Sequence, residues 1–218
     1  MIKNITICAD AHVDCRSSFY ASSSSLNGFG LGDAVTLLPG LNCFVGEIDS
    51  SGWALSYLLS MYSKRSKNIT LYDVKSTIND KNVTLDQLTN LSCYIDTSYP
   101  LFSHQTSVRK MITNGLRKSG LAYSTKDIKS IFQLDDQRFE RAIHANGNER
   151  YRAMPAIAFC HRKEIYCFPW MSKNRFDYFK YQIMYSVKLL SELGKIIILP
   201  VGVGSDISMP NFSDFHNK

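Results

Sequence analysis

Apolar and polar positions along this chain predict short strands first, then helices, then strands again. Residues 4–9 run apolar with strand character, and the serine-rich stretch 17–25 around Phe19 and Tyr20 reads as a loop. A second strand-like run spans 29–38, and Pro39-Gly40 marks a tight turn into an apolar strand at 41–45. Those two strands fit a small antiparallel layer leading onward. An apolar helix follows at 53–62, then a strand at 68–74, a short helix from Thr84, and a buried strand at 91–95. From Ser107 the period lengthens: Val108, Met111, Ile112 and Leu116 recur at intervals of three and four. Ser124 followed by Asp127 has the start signature of a helix over 124–132, and 136–144 reads as a third short helix. Strand character returns at 164–168. A long amphipathic helix covers 176–193, stopped by Gly194, and a last buried strand covers 196–199. Residues 209–218 are polar and expected to fray.

The order is strand, turn, helix, small strands, helical sector, strand, helix, strand. It predicts an α/β fold with a mainly parallel core, an N-terminal antiparallel layer and a helical insert. The 218 residues suit one domain, with residues 1–105 and 146–218 as core and 106–145 as a helical subdomain. An apolar content of 44% is enough for a sizeable core, yet no apolar run approaches the roughly 18 residues of a membrane span. The start, Met1-Ile-Lys-Asn, lacks the long apolar region of a signal peptide, so a cytoplasmic location is expected. The six cysteines (Cys8, Cys15, Cys43, Cys93, Cys160, Cys167) have no paired spacing and read as buried small hydrophobes, not metal ligands. The net charge of +6 is spread over short groups with no long basic run, which argues against a nucleic-acid partner.

The candidate chemistry lies between the strand at 41–45 and the helix that follows. Gly46, Ser50, Ser51, Gly52, Trp53 and Ala54 occupy a strand–glycine turn–helix layout like that of a phosphate-binding loop. A working loop places Lys and then Ser or Thr after its last glycine, one for the terminal phosphates and one for Mg²⁺. Here those slots hold Trp53 and Ala54, and the two glycines are one residue too far apart.

Nearly the whole chain resembles an ATP-binding cassette (ABC) ATPase subunit. The stretch from Tyr94 to Ile112 is similar to the family's Q-loop region, Asn146-Gly147-Asn148-Glu149 to its signature, and residues 163–170 to the end of its Walker B strand. The resemblance implies a P-loop NTPase-like fold with most catalytic groups missing. The Walker A lysine falls on Trp53, and the Q-loop glutamine near Asp96 or Thr97. The Walker B aspartate and catalytic glutamate fall on Pro169 and Trp170. Residues 200–206 hold no switch histidine, while Tyr20 lies at the spacing of the adenine-stacking aromatic. No catalytic residue and no metal ligand is retained on this reading. It further implies a degenerate, inactive subunit that pairs with a second cassette and a transmembrane permease, peripheral to the membrane. ATP and Mg²⁺ would bind weakly or in the partner's site, and a backbone nest at Ser50–Trp53 would hold an anion weakly. The signature-like turn would face the partner's nucleotide.

Two other readings stand beside it. One is a cytosolic interaction scaffold with the same fold. The other is a metallophosphoesterase, from Asp10-Ala-His12 after a strand with Gly32-Asp33 and Gly147-Asn148-Glu149 as fainter echoes. That pattern lacks the Gly-Asn-His and Gly-His-x-His that would complete a two-metal site.

Overall fold

The computed structural model describes residues 1–26, 34–63 and 66–209. Two sheets enclose one long core. The antiparallel sheet runs β2 (Ala21–Ser25), β1 (Ile5–Arg16), β5 (Ile69–Ile78), β6 (Lys81–Val83), with β3 (Val35–Leu37) also paired to β1. The parallel sheet runs β4 (Gly40–Val45), β9 (Ile196–Val201), β8 (Ile165–Cys167), β7 (Ser92–Tyr94). Strands β8 and β9 are buried at every position, as expected for strands covered on both faces. The expected α/β architecture, with an antiparallel N-terminal layer and a parallel core, is present.

Helix α1 (Ser51–Met61) joins the layers. Ten of its eleven residues are buried, because it packs on β1 of one sheet and on β7 and β9 of the other. Such a helix needs no polar stripe, and its two inward serines are satisfied internally. The Ser56 hydroxyl donates to the Phe168 carbonyl (2.5 Å) and that of Ser60 to the Ser56 carbonyl (2.7 Å).

The helical sector follows the caps. Thr84 and Gln87 close a capping box on α2 (Leu85–Leu91), and Ser124 and Asp127 close one on α4 (Thr125–Ile131). Ser107 caps α3 (Val108–Ser119), which ends on left-handed Gly120. Asp135 caps the single turn α5 (Asp136–Phe139). The long helix α7 (Lys173–Glu192) is followed by Gly194 at φ +68°, so the expected glycine stop is met.

Several expectations are corrected. The serine stretch 21–25 is a strand, because it pairs along β1 from Ala21↔Arg16 to Ser25↔His12, and cross-strand bonding overrides the poor strand preference of serine. Asp10 and His12 lie inside the twelve-residue β1, not in a loop beyond it. Strands β3 and β4 do not pair; Pro39-Gly40 carries the chain from one sheet to the other. The helix expected at 136–144 divides into α5 and a 3-10 segment, Ile143–Glu149, broken by Gly147 at φ 53°. The strand expected at 29–38 begins at Val35, and its residues 29–33 lie outside the described residues, as do 210–218 of the tail.

Helix α6 (Arg150–Cys160) was not predicted. It is apolar on all sides, so no stripe marks it, and it contains Pro155. Proline has no N–H for the carbonyl of Tyr151, four residues earlier. The Ser186 hydroxyl of α7 donates to that carbonyl instead (2.8 Å). Ser186→Ala is expected to strand a buried acceptor and lower unfolding free energy by about 1–3 kcal/mol, read as a fall in the urea midpoint with unchanged slope.

Candidate functional site

The β4–α1 turn starts from sheet geometry. The N–H of Gly46 donates to the Val201 carbonyl (2.9 Å), so the turn leaves the sheet where β4 and β9 end together. Ser50 closes a short turn, its N–H on the Glu47 carbonyl (2.9 Å), and its own carbonyl accepts from Trp53 (3.1 Å) and Ala54 (3.4 Å). No residue from 46 to 54 has positive φ. The turn at Ser50–Trp53 therefore lacks the alternating right- and left-handed residues from which one kind of anion-holding nest is built. The two glycines serve packing. A Cβ on Gly52 would overlap that of Phe44 and sit 2.9 Å from its Cγ, and one on Gly46 would sit 2.9 Å from the Ser50 Cβ.

Trp53 is fully buried and points into the interior. Its indole N–H donates to the Tyr94 hydroxyl (2.8 Å) at the end of β7. Burial foremost, and the nearby Asp96 carboxylate, push the Tyr94 phenol well above its usual value, so it remains a neutral hydroxyl. Trp170, just beyond β8, is stacked with Trp53, with centroids 6.5 Å apart and planes 28° apart. Its indole N–H donates to the Gly46 carbonyl (2.9 Å), closing a loop from the glycine turn back to the turn itself. Tyr20 stands edge-on to Trp170 at 5.3 Å, and Tyr57 edge-on to Tyr94 at 5.5 Å. Residues read from the sequence as four separate motifs (Tyr20, Trp53, Tyr94 and Trp170) thus converge with Tyr57 in one ring cluster, Tyr20–Trp170–Trp53–Tyr94–Tyr57. Pro169 precedes Trp170 at the strand end and is buried.

Asp96 is also buried, at 4% exposure, and is fully engaged. Its carboxylate accepts from the Ser18 N–H (3.0 and 3.1 Å), the Ser18 hydroxyl (2.8 Å) and the Ser98 N–H (2.9 Å). Thr97 shares a hydrogen bond with that same hydroxyl (2.7 Å). The Q-loop-like pair Asp96 and Thr97 ties the turn between β1 and β2 to the end of β7. Phe19 in that turn lies under the Arg175 guanidinium (3.2 Å to the ring centre) and near that of Arg150 (4.8 Å).

The signature-like turn is divided between surface and interior. Asn146 and Glu149 are buried, at 1% and 3% exposure. The Asn146 amide donates to the Ala142 carbonyl (2.9 Å), and Glu149 accepts from the Asp135 N–H at the start of α5 and meets Arg138 at 3.7 Å. Glu149 thus braces α5 from within, and Asn146 closes the turn that follows it. Gly147 is exposed and Asn148 half-buried. Arg150, the residue after the turn, lies beside Phe19, the neighbour in sequence of Tyr20.

The residues present do not fit Mg²⁺ with a triphosphate. The segment 46–55 holds no lysine or arginine, and its charges are the exposed carboxylates Glu47 and Asp49, which repel an anion. Beyond Gly52 stand a buried indole and a methyl, and beyond β8 a proline and a second indole. The alternative two-metal reading fails on position. His12 faces Asp14 (3.8 Å) and Ser25 (3.4 Å) on the antiparallel sheet, and no cluster of three metal-ligating side chains exists among the described residues. Gly32-Asp33 lies outside the described residues. The ring cluster itself was not legible beforehand. Its signal was that each of the two tryptophans directly follows a glycine or a proline, Trp53 after Gly52 and Trp170 after Pro169.

The fold is that of an ATP-binding cassette. The chain is similar to the ATP-binding cassette MJ0796, solved as a dimer bound to ADP and Pi, at 12% identity over 91% of this chain and 88% of that one (TM-score 0.59). It is similar to a protein of Pyrococcus furiosus assigned as an ABC transporter ATP-binding protein, at 11% identity over 94% of each chain (TM-score 0.59). It also matches a bacterial Atm1-family ABC exporter with ATP bound, at 11% identity, covering 92% of this chain and 34% of that one (TM-score 0.51). No family model and no curated protein matches the sequence.

If Gly52 is steric, Gly52→Ala must push Phe44 away. The expected cost is about 1–3 kcal/mol of overpacking, partly offset by about 1 kcal/mol of helix propensity. The check is the unfolding midpoint against Gly115→Ala, where a Cβ would strike His161 and Cys160 instead.

Proposed function

We propose that this chain is a cassette subunit that keeps the ABC fold without the chemistry of ATP hydrolysis. On this reading it pairs with a second cassette and passes motion to a membrane-embedded subunit. The observation that carries it is the Trp53–Trp170 stack, roofed by Tyr20 and bonded to Tyr94 and Gly46. Under the family resemblance, Trp53 and Ala54 stand where the lysine and the hydroxyl would act, Pro169 and Trp170 where the carboxylates would, and Tyr20 at the adenine-stacking aromatic. Hydrolysis needs phosphate charge neutralised, a metal held and a water oriented. A pair of indoles does none of these, and losing such groups together leaves little besides binding.

Pairing is supported by analogy: a similar structure is a dimeric cassette, and another is an ABC exporter. In a pair, the exposed Gly147 and half-buried Asn148 are the parts of the signature-like turn that a partner's nucleotide would meet. Residues 106–145 are assigned as the subdomain that transmits motion. No helix among the described residues is long and apolar enough to cross a membrane, so membrane association would come through that partner.

The test is phosphate release from Mg-ATP by the purified chain, with nucleotide binding measured alongside. The expected outcome is no turnover above the heat-denatured control. Turnover that vanishes in Glu149→Gln or Ser51→Ala would overturn the proposal.

A further inference from the structure

Phe19, in the turn between β1 and β2, is exposed, and two half-buried arginines lie against its ring. The guanidinium of Arg175, in the first turn of α7, is 3.2 Å from the ring centre, and that of Arg150, at the start of α6, is 4.8 Å from it. Both also lie over Phe179 of α7, at 5.2 and 5.7 Å. Tyr20 is 5.9 Å from the Arg175 guanidinium and Tyr151 is 5.1 Å from that of Arg150. Tyr151 and Phe179 pack on each other, with centroids 4.8 Å apart. Two positive charges brought from different helices are thus held close together on one aromatic bed.

A guanidinium as near to a ring as that of Arg175 lies flat upon it, which uses its face and leaves its in-plane N–H donors over. Among the described residues, no hydrogen bond or ion pair takes up the donors of Arg150 or Arg175. The carboxylates on neighbouring elements are engaged elsewhere: Asp96 with Ser18 and Ser98, Glu149 with the Asp135 N–H and Arg138, Asp177 with Lys173. Like charges held together repel, and a shared counter-ion relieves both. The paired N–H groups of a guanidinium match oxyanions two oxygens at a time. A phosphate group suits two such forks better than a carboxylate does. It offers three terminal oxygens and about −1.5 to −2 of charge at neutral pH, against two oxygens and a single charge.

We propose that Arg150 and Arg175 form a binding site for a phosphate group, either free or carried on a small organic ester. Phe19 and Phe179 fix the two guanidiniums in advance, so little side-chain freedom remains to be lost on binding. The site lies within one chain. It rests neither on pairing with a second cassette nor on the absence of hydrolysis.

The probes are inorganic phosphate, phenyl phosphate and acetate, titrated into the full chain at pH 7.5 and constant ionic strength, with the arginine Nε–H signals followed by NMR. Expected are saturable shifts of Arg150 and Arg175 with both phosphates, about tenfold tighter than with acetate. Arg150→Gln and Arg175→Gln should each weaken phenyl phosphate binding about tenfold. Arg175→Lys should weaken it too, because an ammonium keeps the charge but has no fork. Arg141→Gln, at an exposed position outside the cluster, should leave it unchanged. The comparison with acetate uses the unaltered chain, so it decides even where a variant fails to fold. Tighter binding of phenyl phosphate than of inorganic phosphate would identify an organic ester as the occupant, and equal affinity the free ion. No saturable shift at millimolar phosphate, acetate binding as tightly as phosphate, or full affinity in both Gln variants would overturn the proposal. Displacement of phenyl phosphate by Mg-ATP would also overturn it, by assigning the arginines to a nucleotide site. ATP turnover by the chain leaves these outcomes unaffected, so the two proposals fail separately.

Discussion

The structure depends on the burial of helix α1 between the two sheets, on both of which it packs. A helix in that position must be apolar all round and must begin close against the strand that precedes it. Gly52 meets the second requirement by lying on Phe44, and Trp53, the first buried side chain of the helix, turns toward Tyr94 at the far end of the parallel sheet. The turn from Gly46 to Ser50 follows from where β4 must stop and α1 must start. Trp170 then fills the remaining space and bonds the turn from above. A buried indole with its N–H satisfied contributes large apolar burial without a desolvated donor. In this chain the place where a cassette fold leaves its strands for its helix has become part of the core.

A second constraint concerns the ends of the strands. Asp96 just past β7 is a buried carboxylate, and such a group persists only when its oxygens are satisfied. The β1–β2 turn folds over it through Ser18, and that brings Phe19 beneath Arg175 and Tyr20 against Trp170. One polar anchor thus holds the antiparallel layer on the parallel one and orients the roof of the ring cluster. Glu149 does the same for the helical sector, from inside rather than at its surface.

Much of this was legible in the sequence. The caps at Thr84, Ser107 and Ser124, the glycine stop at 194 and the run of apolar strands all carry local signals, and the structure has an element at each. What was not legible depends on neighbours distant in sequence. Ala21–Ser25 is a strand because β1 pairs with it, and α6 tolerates Pro155 because Ser186 of another helix supplies the missing donor. The turn at 46–52 has the layout of a phosphate loop, but its backbone holds no left-handed residue, which no spacing of glycines reveals. Asn146 and Glu149 illustrate the same limit: a polar turn reads as a surface, and only packing turns two of its side chains inward.

The central proposal is that the stacked indoles stand where a nucleotide's phosphates and metal would sit. The chain has only two tryptophans, and both are in that stack, so intrinsic tryptophan emission reports on this place alone. The emission should be blue-shifted, poorly quenched by acrylamide, and unchanged on titration with millimolar Mg-ATP. A saturable change in emission with Mg-ATP, absent with Mg²⁺ alone and accompanied by stoichiometric nucleotide binding, would contradict it.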